Sequence, residues 1–179
     1  MSRNHRSFFR YLPTGPNARA WGAYVTAAGH AIVPPGSLFP PCSHPETHHM
    51  VWHLGRVLPD YHFLYITQGE GEFESKATGL IRLKIGDLVI LHPQMWHRYR
   101  PVVGVGWHEY WLEFDGQHAR ALMNRKKFRL IVLCFTSEKA NLFLRYFFGH
   151  LLCCASNHPI AISFSAVSPL KQLSRLFQL

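Results

Sequence analysis

Thirteen histidines among 179 residues make metal chemistry the first question, and the stretch GDLVILHPQMWHRYRP (86–101) poses it most sharply. Zinc or iron is held by two or three imidazoles, usually with a carboxylate, converging from fixed spacings. In a small β-barrel such a site takes a His-x-His pair and a glutamate ahead of the turn-like QGEG, then a histidine after PQMW. His97 fills the last place. The pair is missing: HLGRVLPDYHFLYITQGEG offers only His53 and His62, while His44, His48 and His49 lie further back in what reads as a loop. The expectation is therefore no metal and no other cofactor. The alternative reading is a small metal-dependent enzyme, an isomerase or dioxygenase, using His97 with His53 or His62. His97 itself reads either as a barrel-mouth histidine bonded to backbone or as a direct ligand contact. His92, ahead of Pro93, reads as a turn residue.

Acyl and phosphoryl chemistry find less support. No serine sits in a GxSxG elbow, and GEGEF reads as a hairpin turn between strands, not a phosphate cradle before a helix. Glu109 and Glu113 share one face of a strand, about 13 Å apart at strand rise. Glycosidase carboxylates stand only about 5–9.5 Å apart, so no catalysis is expected. The alternation around them says more. In WHEYWLEF, Trp107, Glu109, Trp111 and Glu113 fall on one face and His108, Tyr110, Leu112 and Phe114 on the other. Indoles interleaved with carboxylates suit a polar ring-shaped guest such as a sugar, which stacks on the aromatic faces and bonds its hydroxyls to Arg or Glu. The same pattern fits a tryptophan-rich core with glutamates facing solvent, and periodicity does not choose between them.

Short strands must position these groups. WGAYVTAAGHAIV (21–33), MVWHLGRVL (50–58), HFLYITQ (62–68), EFES (72–75), LIRLK (80–84), DLVILH (87–92), HRYRP (97–101) and HEYWLEF (108–114) have strand composition. Their separators, PPGSLFPPCSHP, QGEG, KATG, IGD, HPQM and VVGVG, are turn- or loop-like, and strands at this spacing predict an antiparallel sandwich or barrel. Residues 1–20 read as an extended arm, with Pro13, Gly15 and Pro16 arguing against a helix there. Residues 117–127 suit a short helix, and FRLIVLCF (128–135) a strand or buried segment. Thr136 or Ser137 is placed to cap a helix running to about residue 155.

Charge and cysteine usage narrow the setting. The formal net charge is +9, yet residues 1–116 hold 10 Lys/Arg against 9 Asp/Glu, and residues 117–179 hold 9 Lys/Arg with Glu138 as their one acid. A dispersed basic tail can touch phosphate, but it is more often simply solvated. Cys42, Cys134, Cys153 and Cys154 show no CxxC spacing, which suits a reducing cytoplasm. LFLRYFFGHLLCCA (142–155) is too short and too charged for a membrane span. No signal peptide is visible, and a soluble cytoplasmic protein is expected.

Three blocks then carry a resemblance: GRVLPDYHFLYITQGEGEFE, IRLKIGDLVILHPQMWHRYRP and GWHEYWLEFDG, over roughly residues 8–123. In this order the chain resembles the N-terminal sensor domain of AraC-family transcription regulators. The resemblance implies a mainly β fold: a cupin-like antiparallel β-barrel (a double-stranded β-helix, or jelly roll) followed by C-terminal helices. It implies an arm at 1–20, an effector-binding barrel at 21–116 and a helical segment at 117–179. The effector is expected to be a small molecule, a sugar in many members, and a homodimer is expected. Carried over by position, Arg56 and Tyr99 bond the effector and Trp111 faces it. Glu109 stands where the arabinose-binding member has histidine, Trp96 is a second stacking candidate, and His97 reads as pocket wall. Gln94 replaces the usual glycine after the turn proline. Beyond about Met123 the pattern ends and no helix-turn-helix domain follows, so DNA is expected to be reached only through a reader domain missing from this chain. A dimerising segment, or a shifted or truncated reading frame, is the expectation for that end.

Overall fold

The structure, a computed structural model, describes residues 7–40 and 50–125 together with the backbone of residues 132–135. An arm strand β1 (Phe8–Tyr11) leads through a short helix α1 (Pro16–Trp21) into β2 (Tyr24–Val33). There follow β3 (Arg56–Val57), β4 (Tyr61–Ser75), β5 (Gly79–Lys84), β6 (Leu88–Leu91), β7 (Trp96–Pro101), β8 (Trp107–Asp115), α2 (Gln117–Met123) and β9 (Val132–Phe135). Every strand pair is antiparallel. The result is a mostly β, curled antiparallel sheet of cupin-like architecture.

β4 is the hinge of the design. Its first half lies between β8 and β6, and its second half between β5 and β7, which in turn carries β3. QGEG is therefore not a hairpin turn, contrary to the sequence reading, but the bend of one continuous strand with a register shift between Ile66 and Gln68. The glycines are there for close approach. Gly69 has φ +75°, and a Cβ on it would run into the Gly106 carbonyl oxygen, while one on Gly71 would meet the Trp107 ring. Gly69→Ala is expected to cost about 2–4 kcal/mol, combining left-handed strain with overpacking. Gly104→Ala, with nothing within 4 Å of the added carbon, should stay within about 0.5 kcal/mol. Urea midpoints measure both.

Alternation assigns the two faces. Tyr61, Phe63 and Tyr65 of β4 join Leu112 and Phe114 of β8 on one side, where Ala119, Leu122 and Met123 of α2 cover them. His62, Leu64 and Ile66 point to the other side with Trp107, Glu109, Trp111 and Glu113. On β2 the residues opposite these large groups are small: Ala27, Gly29 and Ala31 pair with Glu113, Trp111 and Glu109. A Cβ on Gly29 would meet the Trp111 ring at 2.7 Å. Small β2 residues thus make room for the bulky face of β8.

Two further expectations change. The arm does contain a helix, because Pro16 stands at the start of α1, where its missing N–H is not needed and its fixed φ suits the turn; Gly22 closes it in the left-handed region. MVWHLGRVL yields only the two-residue β3 and an isolated Val51–Gly55 bridge. The expected helix over 136–155 and Cys42, Cys153 and Cys154 lie outside the described residues, while the backbone of Cys134, in β9, pairs with Val89 of β6. Among the described residues no helix is long and apolar enough to cross a membrane.

Gln94 adopts φ +63° in the turn before β7, where its N–H donates to the Leu58 carbonyl at 2.9 Å. Left-handed backbone costs a non-glycine residue about 1–2 kcal/mol, partly offset by the extra freedom glycine loses on folding. Gln94→Gly is expected to raise the melting temperature by roughly 1–4 °C, a gain of about 0.5–1 kcal/mol.

Candidate functional site

Four elements and one loop converge on the buried face of β8. β3 brings Arg56, β4 brings His62, β7 brings His97 and Tyr99, and the arm strand β1 brings Tyr11. Phe39 and Met50 add two apolar walls. A cavity of about 20 Å³ lies among Tyr11, Phe39, Met50, Arg56, His62, Tyr99, Glu109, Trp111 and Glu113. That volume holds about one water.

Arg56 organises the polar end. Its Nη2 donates to the Tyr99 hydroxyl at 2.7 Å and its Nε to His97 Nε2 at 3.3 Å. His97 Nδ1 lies 2.9 Å from the Met95 carbonyl, so the ring is neutral with its proton on Nδ1 and its Nε2 lone pair turned to Arg56. Burial, reinforced by the Arg56 charge, pushes the His97 pKa down to about 3. Tyr99 accepts from Arg56 and keeps its own proton to give away; burial raises its pKa above the usual phenol range. Burial likewise lifts Tyr11 to about 12, with Glu113 adding to the rise.

The acidic end is less satisfied. Glu109 is 4 % exposed, and its Oε2 has no hydrogen-bond partner among the described residues. Desolvation pushes its pKa up to about 8, with Arg56 opposing. Glu113 instead meets His62 Nδ1 at 3.1 Å, and the His62 ring lies nearly parallel to Trp111, 6.1 Å between centroids. The cavity therefore presents a fixed cation, two buried carboxyl groups, two phenols and an indole.

Of the six residues singled out from sequence, Arg56, Tyr99, Glu109 and Trp111 meet at this cavity. His97 stands behind Arg56 and orients it. Trp96 does not join them: strand alternation turns it to the opposite face of β7, where its Nε1 donates to the Leu54 carbonyl and its ring lies near Arg98. Tyr11, Met50, Phe39, His62 and Glu113 were not singled out as ligand contacts. For Glu113 the signal was present, since it continues the Trp107, Glu109, Trp111 period. Tyr11, Phe39 and Met50 arrive by long-range packing, which no local pattern encodes.

The site also speaks to metal chemistry. Of the histidines named for a metal, His97 turns its Nε2 lone pair to Arg56, a cation, His53 is exposed on a turn, and His62 Nδ1 meets Glu113. Among the described residues no group of three or more His, Cys, Asp or Glu is placed to hold a metal ion.

Residues 35–143 match the family described as AraC-like ligand binding domain, and the chain belongs to that family. No curated protein sequence matches it. Among solved structures, YhaK from Escherichia coli aligns with a TM-score of 0.47 and 11% identity over 73% of this chain, which spans 50% of YhaK's own length. An RmlC-like cupin with a double-stranded β-helix fold from Methanocaldococcus jannaschii aligns at 0.40, 14% identical, over 68% of this chain and 91% of its own. ToxT from Vibrio cholerae aligns at 0.35, 14% identical, over 54% of this chain and 48% of its own.

Proposed function

We propose that this chain is the effector-sensing part of a transcription regulator and that its effector is a small polyhydroxylated molecule, a sugar, bound without chemical change. The observation that carries the reading is that Arg56 and Glu109 line one buried cavity: a guanidinium held in place by Tyr99 and His97, and a carboxyl oxygen with no hydrogen-bond partner among the described residues. A hydroxyl both donates and accepts, so vicinal hydroxyls satisfy the two at once, and Trp111 offers the face on which a sugar ring stacks. Membership in a family of ligand-binding domains supports the same reading.

Binding must also widen the cavity, because a space for about one water does not admit a sugar. The movable wall is the arm: Tyr11 sits against Trp111, 6.3 Å between ring centroids, on a four-residue edge strand. An effector that displaces or reorders this strand changes what the arm presents to the rest of the regulator, and it does so by shifting a population between two packings. Pairing with a second copy and a cytoplasmic location complete the proposal.

A thermal-shift screen against a sugar panel tests it. A sugar at 100 times its dissociation constant adds about 2.7 kcal/mol, a rise of roughly 5–10 °C for a chain of this size. A panel of pentoses, hexoses and their acids that leaves the melting temperature unmoved removes the sugar.

A further inference from the structure

Beside the small cavity lies a second, larger one of about 250 Å³, lined by the Pro34–Phe39 loop, Met50, Trp52, Tyr99 and the Pro101–Val103 segment. Its walls are mainly apolar; Arg100 also lines it, with its guanidinium stacked on Trp52 at 3.8 Å and paired with Glu72 at 2.8 Å. The two spaces share three walls, Phe39, Met50 and Tyr99. Phe39 is half-buried, packed edge-on to Trp107 with 5.8 Å between centroids, and Met50 is an unbranched thioether that repacks readily. Swinging these two side chains aside joins the inner space to the outer one. Ligand pockets for small molecules begin at about 300 Å³; the inner space alone falls far short, and the outer one supplies most of that volume.

Polarity changes along this path. The inner end offers Arg56, Glu109 and the Tyr99 hydroxyl; the neck is Phe39 and Met50; the outer end is Leu38, Trp52 and Val102. A guest that fills the whole path has hydroxyls at one end and an apolar group at the other. We propose that the effector is a glycoside with an apolar aglycone, its sugar in the Arg56–Glu109 cavity and its aryl or alkyl group in the Leu38–Trp52 cleft. This rests on the sugar reading above and adds a second compartment to it. Free monosaccharides leave the outer cleft to water, so the aglycone sets the selectivity.

Calorimetric titration with matched methyl and phenyl glycosides of arabinose, xylose, glucose and galactose, with phenol as the aglycone alone, separates the outcomes. At least one phenyl glycoside is expected to bind tenfold or more tightly than its methyl partner. That ratio should fall toward one in Leu38→Glu, a change at a side chain 83% exposed that leaves the core intact, and in Trp52→Ala. Equal affinities within every pair overturn the second compartment while the sugar reading stands. Phenyl glycosides that bind no better than phenol, or no binding by any probe, overturn both.

Discussion

At about pH 8.5 the Glu109→Gln protein is expected to melt roughly 8–15 °C above the unsubstituted chain, whereas near pH 4.5 the two should melt together. Glu109 has its pKa raised from 4.5 to about 8 by burial. The folded chain therefore holds this proton more tightly than the unfolded one. The stability it contributes is full below about pH 4.5 and is lost as pH rises through about 8. A shift of this size corresponds to about 3–5 kcal/mol, a large share of the roughly 5–15 kcal/mol that a domain of this kind possesses. Glutamine keeps the shape and cannot ionise, so the alkaline decline disappears. His97 works in the opposite direction. Burial lowers its pKa from 6.5 to about 3, so its contribution is full above about pH 6.5 and is lost as pH falls toward 3. Between about pH 4.5 and 6.5 the two slopes cancel, and the unsubstituted chain is expected to show a plateau there. Melting temperatures of the two proteins across pH 3–9 give both limbs.

Arg56→Met should weaken effector binding about 10- to 100-fold, the loss of one or two hydrogen bonds from a charged donor at about 1.5–3 kcal/mol. The substitution has a second signature that mere misfolding does not produce. Arg56 lowers the pKa of Glu109 and also that of His97. Without it Glu109 moves further up, so the alkaline decline extends to higher pH, and His97 moves up toward its ordinary value, so the acid decline becomes shallower. Arg82→Met is the control. That guanidinium pairs with Glu70 at 2.6 Å on the surface, 63% exposed, and pairs of this kind contribute about 0–1 kcal/mol. Isothermal titration with the effector and pH-resolved melting of both variants report the difference.

Strand alternation made much of this arrangement legible in the residues. Period two in WHEYWLEF placed Glu109, Trp111 and Glu113 on one face, and the structure puts that face inward, opposite Ala27, Gly29 and Ala31. Alternation left open whether the face was core or cavity, because that depends on what β2 and β3 bring across from it. Small residues and an arginine are not a pattern that one strand reveals about another. The QGEG misreading has a related cause. Glycine serves tight turns and close backbone approach alike, and only the nearness of Gly106 and Trp107 tells which need is met. Pro16 shows a third limit: proline opposes a helix interior but favours its first position, so the residue that argued against α1 begins it. Tyr11 and Met50 reach the cavity from 45 residues before and 6 residues before Arg56, through packing that sequence spacing does not record.

A fluorescence titration asks most directly whether a sugar enters between Arg56, Glu109 and Trp111. Trp111 lines that cavity and the remaining tryptophans do not, so an incoming ring should alter its emission. The sugar that most raises the melting temperature is expected to produce a saturable change in the unsubstituted chain. Trp111→Phe should abolish most of that change, and Arg56→Met should shift it to at least tenfold higher concentration. An identical change in Trp111→Phe, at the same concentrations, would place the sugar elsewhere on the molecule and contradict the account.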